Sequence, residues 1–274
     1  MVILPPIAIL GTGSMGGAIL SGLLSPGVRV DGGIRVTNRS RAKAAALASD
    51  TVTSLSTDAD PGANVAAVSG ARIVIVAVKP HMVPSMLEEI ADALEPGAIV
   101  ISVAAGVRLD TMEALVDAPV LRAMPNTPST VGRGVTGLSA GSRASDEDMA
   151  VATALFGTVG EVLEVPESRI DALSAISGSG PAYVFLIIEE LERTAFKLGF
   201  TKKEARLMVE TTFLGASELL AASGEAPAEL RRRVTSPNGT TERAIEVLQE
   251  AELSGLFDRA TAAAVARAKA LSAG

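Results

Sequence analysis

Short apolar runs alternate with helical patterns from Ile7 to Val165, and beyond that point the apolar runs of strand type stop. The run Ile73–Val78, with the sequence IVIVAV, has the composition of a strand that is buried on both faces of a sheet. Strands that alternate with helices are joined by crossover connections, so the pattern predicts a doubly wound parallel sheet with helices on both faces. The N-terminal part of the chain is therefore expected to be an α/β domain.

The individual elements are predicted from apolar periodicity and from the Gly and Pro residues that mark turns and element ends. The predicted strands are Ile7–Leu10, Ile34–Thr37, Ile73–Val78, Ile99–Val103, Val120–Ala123 and Glu161–Val165, and the predicted helices between them are Gly16–Leu24, Arg41–Ala48, Val83–Leu94 and Leu109–Leu115.

The C-terminal part is predicted to be all helical, with the boundary near Pro166 and domains over residues 1–166 and 167–274. Ser177–Gly180 supplies four small residues, which let a second backbone or a ligand approach closely. Val184–Ile188 is wholly apolar, which indicates burial inside a larger assembly. The predicted helices are Gly180–Leu198, Lys202–Ala222, Thr240–Leu248 and Leu256–Leu271.

Composition excludes several classes of function. The chain has no Cys, which excludes disulfides, thiolate metal sites and a Cys nucleophile, and we predict no metal site. A net charge of −7 gives no basic footprint for nucleic acid or an anionic membrane. The N-terminus lacks the basic region of a secretory signal, and no apolar run approaches the roughly 20 residues of a membrane span. We expect a cytoplasmic protein with a small-molecule ligand.

A glycine fingerprint lies between the first predicted strand and the first predicted helix. Gly11-Thr12-Gly13-Ser14-Met15-Gly16 matches GxGxxG, a weak signal alone among 26 glycines but a strong one in this strand–turn–helix context. The glycines allow a tight turn and close approach to a pyrophosphate, and the helix N-terminus presents N–H groups to the phosphates. The segment therefore predicts a dinucleotide site.

The end of the second predicted strand indicates which dinucleotide binds. An NAD-specific site places an acidic residue there, whereas this chain has Asn38-Arg39-Ser40. An Arg with adjacent amide and hydroxyl groups suits a 2′-phosphate, so NADPH is favoured over NADH. The alternative is that Arg39 is only an exposed charge at the start of a helix.

Further motifs give the chain a family resemblance. They are Ala77–Pro80 (AVKP), Met124–Pro128 (MPNTP), Ser177–Tyr183 (SGSGPAY) and Thr235–Thr241 (TSPNGTT). In order and spacing, from the fingerprint to the last helices, the chain resembles the pyrroline-5-carboxylate reductases. The resemblance implies NAD(P)H-dependent reduction of 1-pyrroline-5-carboxylate to L-proline, the last step of proline synthesis. It also implies an N-terminal Rossmann domain and a helical C-terminal domain whose helices interleave in a homodimer or a higher homo-oligomer.

The resemblance assigns site residues position by position. At the substrate, Gly239 and Thr240 would hold the carboxylate with backbone N–H groups, and the Thr241 hydroxyl would reach the ring nitrogen as the catalytic group. The cofactor residues that the resemblance implies are Leu10, Gly11, Thr12, Gly13, Ser14, Met15 and Gly16 at the pyrophosphate, Asn38, Ser40 and Asn64 at the adenosine end, and Ala77, Val78, Lys79, Pro80, Ala105 and Asn126 near the nicotinamide. Arg39 joins the expected cofactor residues through the 2′-phosphate argument above.

The chain departs from the family pattern at two positions. Asn238 replaces the first glycine of TSPGGTT, and because Asn tolerates left-handed dihedrals the turn is expected to survive. Glu210 stands where the family has Gln, on a helix face that we expect to be buried.

Some charged residues have two interpretations. Lys79 could be a general acid or could shape the cofactor loop, and His81, the one histidine, could be a proton relay or a loop residue. Arg231-Arg232-Arg233 could bind an anion or form a solvated charge run. The second interpretation is favoured in each case.

Two other functions share part of this sequence pattern. β-Hydroxyacid dehydrogenases share the fingerprint and the helical end, but they carry a catalytic Lys on the first long helix, and Pro181–Glu192 has none. A non-catalytic NADPH-binding protein would have no need of the MPNTP motif or of Thr240 and Thr241.

The sequence predicts the effect of reversing the charge at position 39. Wild-type protein is expected to use NADPH with a higher kcat/KM than NADH, and Arg39→Asp is expected to narrow or reverse that gap, because a carboxylate repels the 2′-phosphate. Initial rates with both cofactors measure it, and a wild-type preference for NADH would contradict the interpretation.

Overall fold

The structure is a computed structural model that describes residues 1–272, with side chains through residue 270. Within that part of the chain the strands are β1 (Val2–Leu4), β2 (Ile7–Leu10), β3 (Val28–Val30), β4 (Ile34–Asn38), β5 (Val52–Ser56), β6 (Ile73–Val76), β7 (Ile99–Ser102), β8 (Val120–Met124), β9 (Gly134–Ala140) and β10 (Gly160–Glu164). The helices are α1 (Ser14–Leu23), α2 (Arg41–Leu47), α3 (Ala63–Val68), α4 (Val83–Ile90), α5 (Leu109–Glu113), α6 (Asp146–Phe156), α7 (Ile170–Leu173), α8 (Gly180–Lys197), α9 (Lys202–Ser223), α10 (Pro227–Arg233), α11 (Thr240–Glu250) and α12 (Leu253–Ser272).

The chain divides into two compact units. The first contains Met1–Ser179 together with the described residues from Ala264, and the second is Gly180–Ala263. The predicted boundary near Pro166 stays a prediction. Each unit is described by itself below.

The first unit is built on an eight-stranded sheet with the order β10-β9-β8-β7-β6-β2-β4-β5, accompanied by a small parallel pair of β1 and β3. The parallel doubly wound sheet predicted from the alternation is confirmed for the pairs from β5 across to β8. The strand order reverses between β2 and β6, since β4 follows on one side of β2 and β6 on the other. In such sheets a ligand binds at the carboxyl ends of the strands beside this switch point.

One pairing differs from the prediction. Strand β9 runs antiparallel to β8. The connection between Met124 and Gly134 is too short for a parallel crossover, which needs a dozen or more residues. Helix α6 then provides a crossover, and β10 pairs parallel to β9. The sequence analysis missed both β9 and α6.

The core lies on both faces of this sheet, because alternate strand residues point to opposite sides. Ile7 and Ile9 of β2 pack in one cluster with residues of α1 and α6. Ala8 and Leu10 pack in the other with residues of α3, α4 and α5. All four residues are completely buried, which fixes the register of the central strand.

The second unit buries little of its own apolar surface. Its buried side chains, among the described residues, are Ala195, Ala205 and Val209. On α8, Phe185 is 65% exposed and Leu186 57% exposed in the single chain. The apolar run predicted to need a larger assembly is therefore uncovered here.

One helical stretch tests the expectation that no segment is long and apolar enough to span a membrane. The helical stretch Glu167–Lys197 is long and apolar enough to cross a membrane, contrary to the sequence expectation, and 11% of its apolar window is buried. One such helix is weak evidence for a span, because the core helix of a soluble protein passes the same test of length and composition.

Two glutamates of the long helices form exposed i,i+4 ion pairs with arginines. Glu189 and Arg193 form the i,i+4 ion pair typical of an exposed helix face, with 3.1 Å between Oε1 and the guanidinium. Glu210 was expected on a buried face, but its side chain is 48% exposed and pairs with Arg206 at 2.9 Å in the single chain.

A buried arginine connects the sheet to the residues that follow β10. The side chain of Arg122, on β8, is 5% exposed and contacts the carboxylates of Glu167 at 3.1 Å and Asp171 at 3.4 Å. Glu167 also accepts the backbone N–H of Leu109 at 2.8 Å, at the start of α5. One guanidinium thus holds together β8, α5 and α7.

Removing this guanidinium is expected to destabilise the first unit. Arg122→Leu leaves two partly buried carboxylates without their counter-charge, and loss of one partner of a buried ion pair costs about 3 kcal/mol. Urea unfolding followed by circular dichroism measures the change. Arg108→Leu, which removes the exposed pair with Asp110, is the matched control and should leave the midpoint nearly unchanged. Equal shifts for the two variants would contradict the prediction.

Candidate active site

The glycine fingerprint forms a closed turn between β2 and α1. Gly11 has φ +91°, and a Cβ there would lie 2.8 Å from the Ala77 carbonyl oxygen. A Cβ on Gly16 would lie 2.1 Å from the Gly11 carbonyl oxygen. Side chains are excluded at both positions because the turn packs tightly against β6 and α1.

Gly13 faces open space instead. A Cβ at Gly13 would meet no atom within 4 Å, and Gly13 is the N-cap of α1 without a side-chain hydrogen bond. The first N–H groups of a helix have no acceptor within the helix. This opening can admit a phosphate, as the fingerprint predicted.

The segment after β4 is tied to this turn. Asn38 is buried, and its Oδ1 accepts the hydroxyl of Thr12. Its Nδ2 is buried and has no partner in the described structure, so a donor is left for a ligand. Ser40 caps α2 by accepting the N–H of Lys43 at 3.4 Å.

Lys43 is a residue that the sequence analysis missed. Its ammonium group donates to the Thr12 carbonyl, which places a positive charge beside the glycine turn. Its position could have indicated this role, because Lys43 lies in the first turn of the helix that follows Arg39.

A cavity of about 750 Å³ lies along the carboxyl ends of β2, β4 and β6. Seven residues predicted for the cofactor line it: Gly11, Asn38, Arg39, Asn64, Ala77, Val78 and Lys79. The lining also includes residues that were not predicted for the cofactor: Thr37, Thr57, Pro61, His81, Met82, Ser85, Met86 and Glu89. The structure thus brings Gly11 of the glycine turn, the end of β4 and the AVKP loop to one cavity, whereas the other residues predicted for the pyrophosphate, Ser40 and Pro80 are not part of its lining.

Ala105 and Asn126 lie elsewhere in the first unit. Ala105 lines a second cavity of about 240 Å³ together with Arg122 and Met124. Asn126 donates through Nδ2 to the Ser177 carbonyl at 2.9 Å and accepts the Val135 N–H at 2.8 Å. Its amide therefore joins the MPNTP loop to the SGSG segment.

The SGSG segment itself departs from regular helix. Ser174–Gly178 is a π-helical turn between α7 and the start of α8. π-Helical turns are rare, but those that do occur are frequently found at functional sites. The sequence indicated a close approach here, without indicating the π-turn.

The TSPNGTT segment lies in the second unit, at the start of α11. Asn238 adopts φ +59°, so the expected left-handed turn is confirmed. The Gly239 N–H already donates to the Ser236 carbonyl at 3.0 Å. Thr240 begins the helix, and its N–H and that of Thr241 lie in the first turn, where the helix supplies no acceptor. The donors available to a carboxylate are therefore those of Thr240 and Thr241, without that of Gly239.

The arginine run before this segment is mostly paired. Glu229 contacts Arg232 at 2.7 Å and Arg233 at 3.1 Å. Hydrogen bonds from Arg232 and then Arg233 lower the pKa of Glu229 to about 2. This pairing supports the solvated charge run over the anion site for these two arginines.

Two family models match the chain. The family described as pyrroline-5-carboxylate reductase dimerisation matches residues 167–271, and the one described as NADP oxidoreductase, coenzyme F420-dependent, matches residues 6–106. The first covers the helical part with TSPNGTT, and the second covers the glycine turn and the large cavity.

Named relatives match over almost the whole length. The pyrroline-5-carboxylate reductase of Corynebacterium melassecola is 38% identical over 97% of this chain and 98% of its own. That of Pseudomonas aeruginosa is 38% identical over 98% of this chain and 97% of its own.

Solved structures of proteins with the same name are also similar to this chain. A pyrroline-5-carboxylate reductase from Coxiella burnetii is 40% identical with a TM-score of 0.88, covering 97% of this chain and 98% of its own. A Plasmodium falciparum pyrroline carboxylate reductase with NADP bound is 26% identical with a TM-score of 0.81, at the same coverage. Because relatives of this name are 38% identical over nearly the whole chain and a solved structure of the same enzyme shares the fold, this chain belongs to the pyrroline-5-carboxylate reductase family.

Proposed function

We propose that this protein reduces 1-pyrroline-5-carboxylate to L-proline with NADPH, as the last step of proline synthesis. The observation that carries the proposal is the 750 Å³ cavity, which the GxGxxG turn and the AVKP loop both border in a chain of this family. NADH is the less favoured cofactor, since no acidic side chain follows β4. The experiment is a rate assay with pyrroline-5-carboxylate and each cofactor.

The residues present fit the cofactor. Gly13 leaves an open cradle at the N-terminus of α1, and Asn38 has a buried amide donor without a partner. The N–H groups of α1 would hold the pyrophosphate, and Arg39 and Ser40 would hold the 2′-phosphate. Ala77–Pro80 and Ala105 would border the nicotinamide, and Asn126 would support that region through its bond to Ser177. When bound, NADPH supplies the hydride that the reaction requires.

The chain's own residues have a small chemical task. The carbon of a protonated C=N bond is electrophilic, so orientation and exclusion of water dominate. The N–H groups of Thr240 and Thr241 would hold the substrate carboxylate, and the Thr241 hydroxyl would form a hydrogen bond with the ring nitrogen. Both threonines lie in the second unit, at the start of α11.

A homodimer, or a higher homo-oligomer of dimers, would cover the exposed apolar residues of α8. The family of residues 167–271 is described as a dimerisation family, which supports a homo-oligomer. The assembly would also account for the apolar character of Glu167–Lys197 without a membrane. A cytoplasmic enzyme with no nucleic-acid partner is in keeping with the net charge of −7.

Loss of the Thr241 hydroxyl is expected to slow turnover. Thr241→Val keeps the shape of the side chain and removes the hydrogen-bonding group, so kcat/KM should fall roughly 10- to 10³-fold with NADPH affinity nearly unchanged. Steady-state kinetics and NADPH titration measure the two effects. Wild-type rates in the variant would remove the hydroxyl from the mechanism.

Charging the apolar face of α8 is expected to disrupt assembly. Leu186→Glu places a carboxylate among residues that a partner subunit would cover, so both the dimer population and the activity should fall. Sedimentation velocity and rate assays over a range of protein concentrations test it. Glu190→Gln, an exposed change on the same helix, serves as the control. A fully active monomer would contradict the proposal.

A further inference from the structure

Asn64 and Glu89 form a partly buried contact at the edge of the large cavity, in which a buried amide meets an exposed carboxylate. Asn64 is the second residue of α3 and is 5% exposed. Its Nδ2 donates to both carboxylate oxygens of Glu89, on α4, at 3.1 and 3.2 Å. Both residues line the cavity that we assign to NADPH.

The carboxylate determines which way round the amide lies. An ionised Glu is only an acceptor, so it must face the NH₂ group of Asn64 and would repel the amide oxygen. Glu89 therefore directs Oδ1 away from itself. That oxygen is buried and has no donor in the described part of the chain.

An orphaned acceptor of this kind costs free energy until a donor reaches it. The adenosine portion of NADPH carries such donors on its ribose hydroxyl and its amino group. The arrangement leaves the amide oriented before the ligand arrives, which reduces the ordering that binding requires.

The charge of Glu89 argues in the opposite direction. A carboxylate that lines a cavity for a multiply charged anion should weaken binding through repulsion. If repulsion dominates, removal of Glu89 should lower the Kd for NADPH, and if orientation of Asn64 dominates, removal should raise that Kd. A binding measurement therefore separates the two effects.

We infer that Glu89 is a positioning residue for NADPH, which acts by fixing the Asn64 amide so that Oδ1 is available to the adenosine end of the cofactor. The inference rests on the proposed placement of adenosine beside Asn64. Glu89 itself takes no part in hydride transfer.

A double-mutant cycle on the full-length protein tests this inference. The Kd for NADPH is measured by isothermal titration calorimetry for wild type, Glu89→Ala, Asn64→Ala and the double variant. Each single change should raise Kd about 10-fold, and the double variant should be no weaker than the singles, because both remove one hydrogen-bonded unit. Glu89→Gln keeps the length and one acceptor oxygen, so it should recover part of the affinity.

Controls separate positioning from a general structural role. Glu88→Ala removes the adjacent, exposed carboxylate of α4, which lies outside the cavity lining, and should leave Kd unchanged. In the Glu89 variants KM for NADPH should rise, while kcat, KM for pyrroline-5-carboxylate and the unfolding midpoint stay at wild-type values.

Other outcomes would overturn the inference in distinguishable ways. If Asn64→Ala weakens binding and Glu89→Ala does not, or tightens it, the positioning role fails and the adenosine placement stands. Additive losses in the double variant would likewise refute action through Asn64. If Asn64→Ala leaves Kd unchanged, the placement fails and the inference fails with it. An absence of turnover with intact NADPH binding would instead refute the proposed reaction.

Discussion

The close approach of backbone to backbone at Gly11 and Gly16 is the constraint on which the rest of the first unit depends. With no side chain at either position, α1 packs directly over the end of β2 and beside Ala77. That contact places the start of α1, the end of β4 and the AVKP loop around one cavity. A methyl group at residue 16 would separate the helix from the turn, so the fold and the binding site share one steric requirement.

Much of the fold could be predicted because its signals are local. The buried strands β2 and β6 are continuous apolar runs, β7 is apolar up to Ser102, and the fingerprint marks the first crossover. Strand β9 could not be predicted in this way, because Gly134–Ala140 has two glycines and small polar residues. It is a strand because β8 and β10 pair with it on either side, which is a tertiary effect.

The residues of the candidate site also divide into those with a local sequence signal and those that depend on tertiary contacts. Residues in motifs could be predicted as site residues, Gly11 from a fingerprint between a strand and a helix and Thr241 from the family resemblance. Glu89 was missed because two adjacent glutamates on an amphipathic helix are typical of a solvent face, and only the docking of α4 against α3 distinguishes Glu89 from Glu88. The hydrogen bond from the Gly239 N–H to the Ser236 carbonyl could not be predicted either, because a backbone hydrogen bond within a loop does not depend on the residue types there.

The small core of the second unit links its stability to mass action. Two alanines and a valine make up its buried side chains among the described residues, whereas the sheet of the first unit is packed on both faces. In the homo-oligomer proposed above, another copy would cover the apolar surface of the helical part, so the folding free energy of that part would depend on subunit concentration. A newly made chain at low concentration would then have a folded first unit and an incompletely packed second unit. The helical half would be the first target of proteases, and the rate at which subunits meet would limit how much enzyme survives.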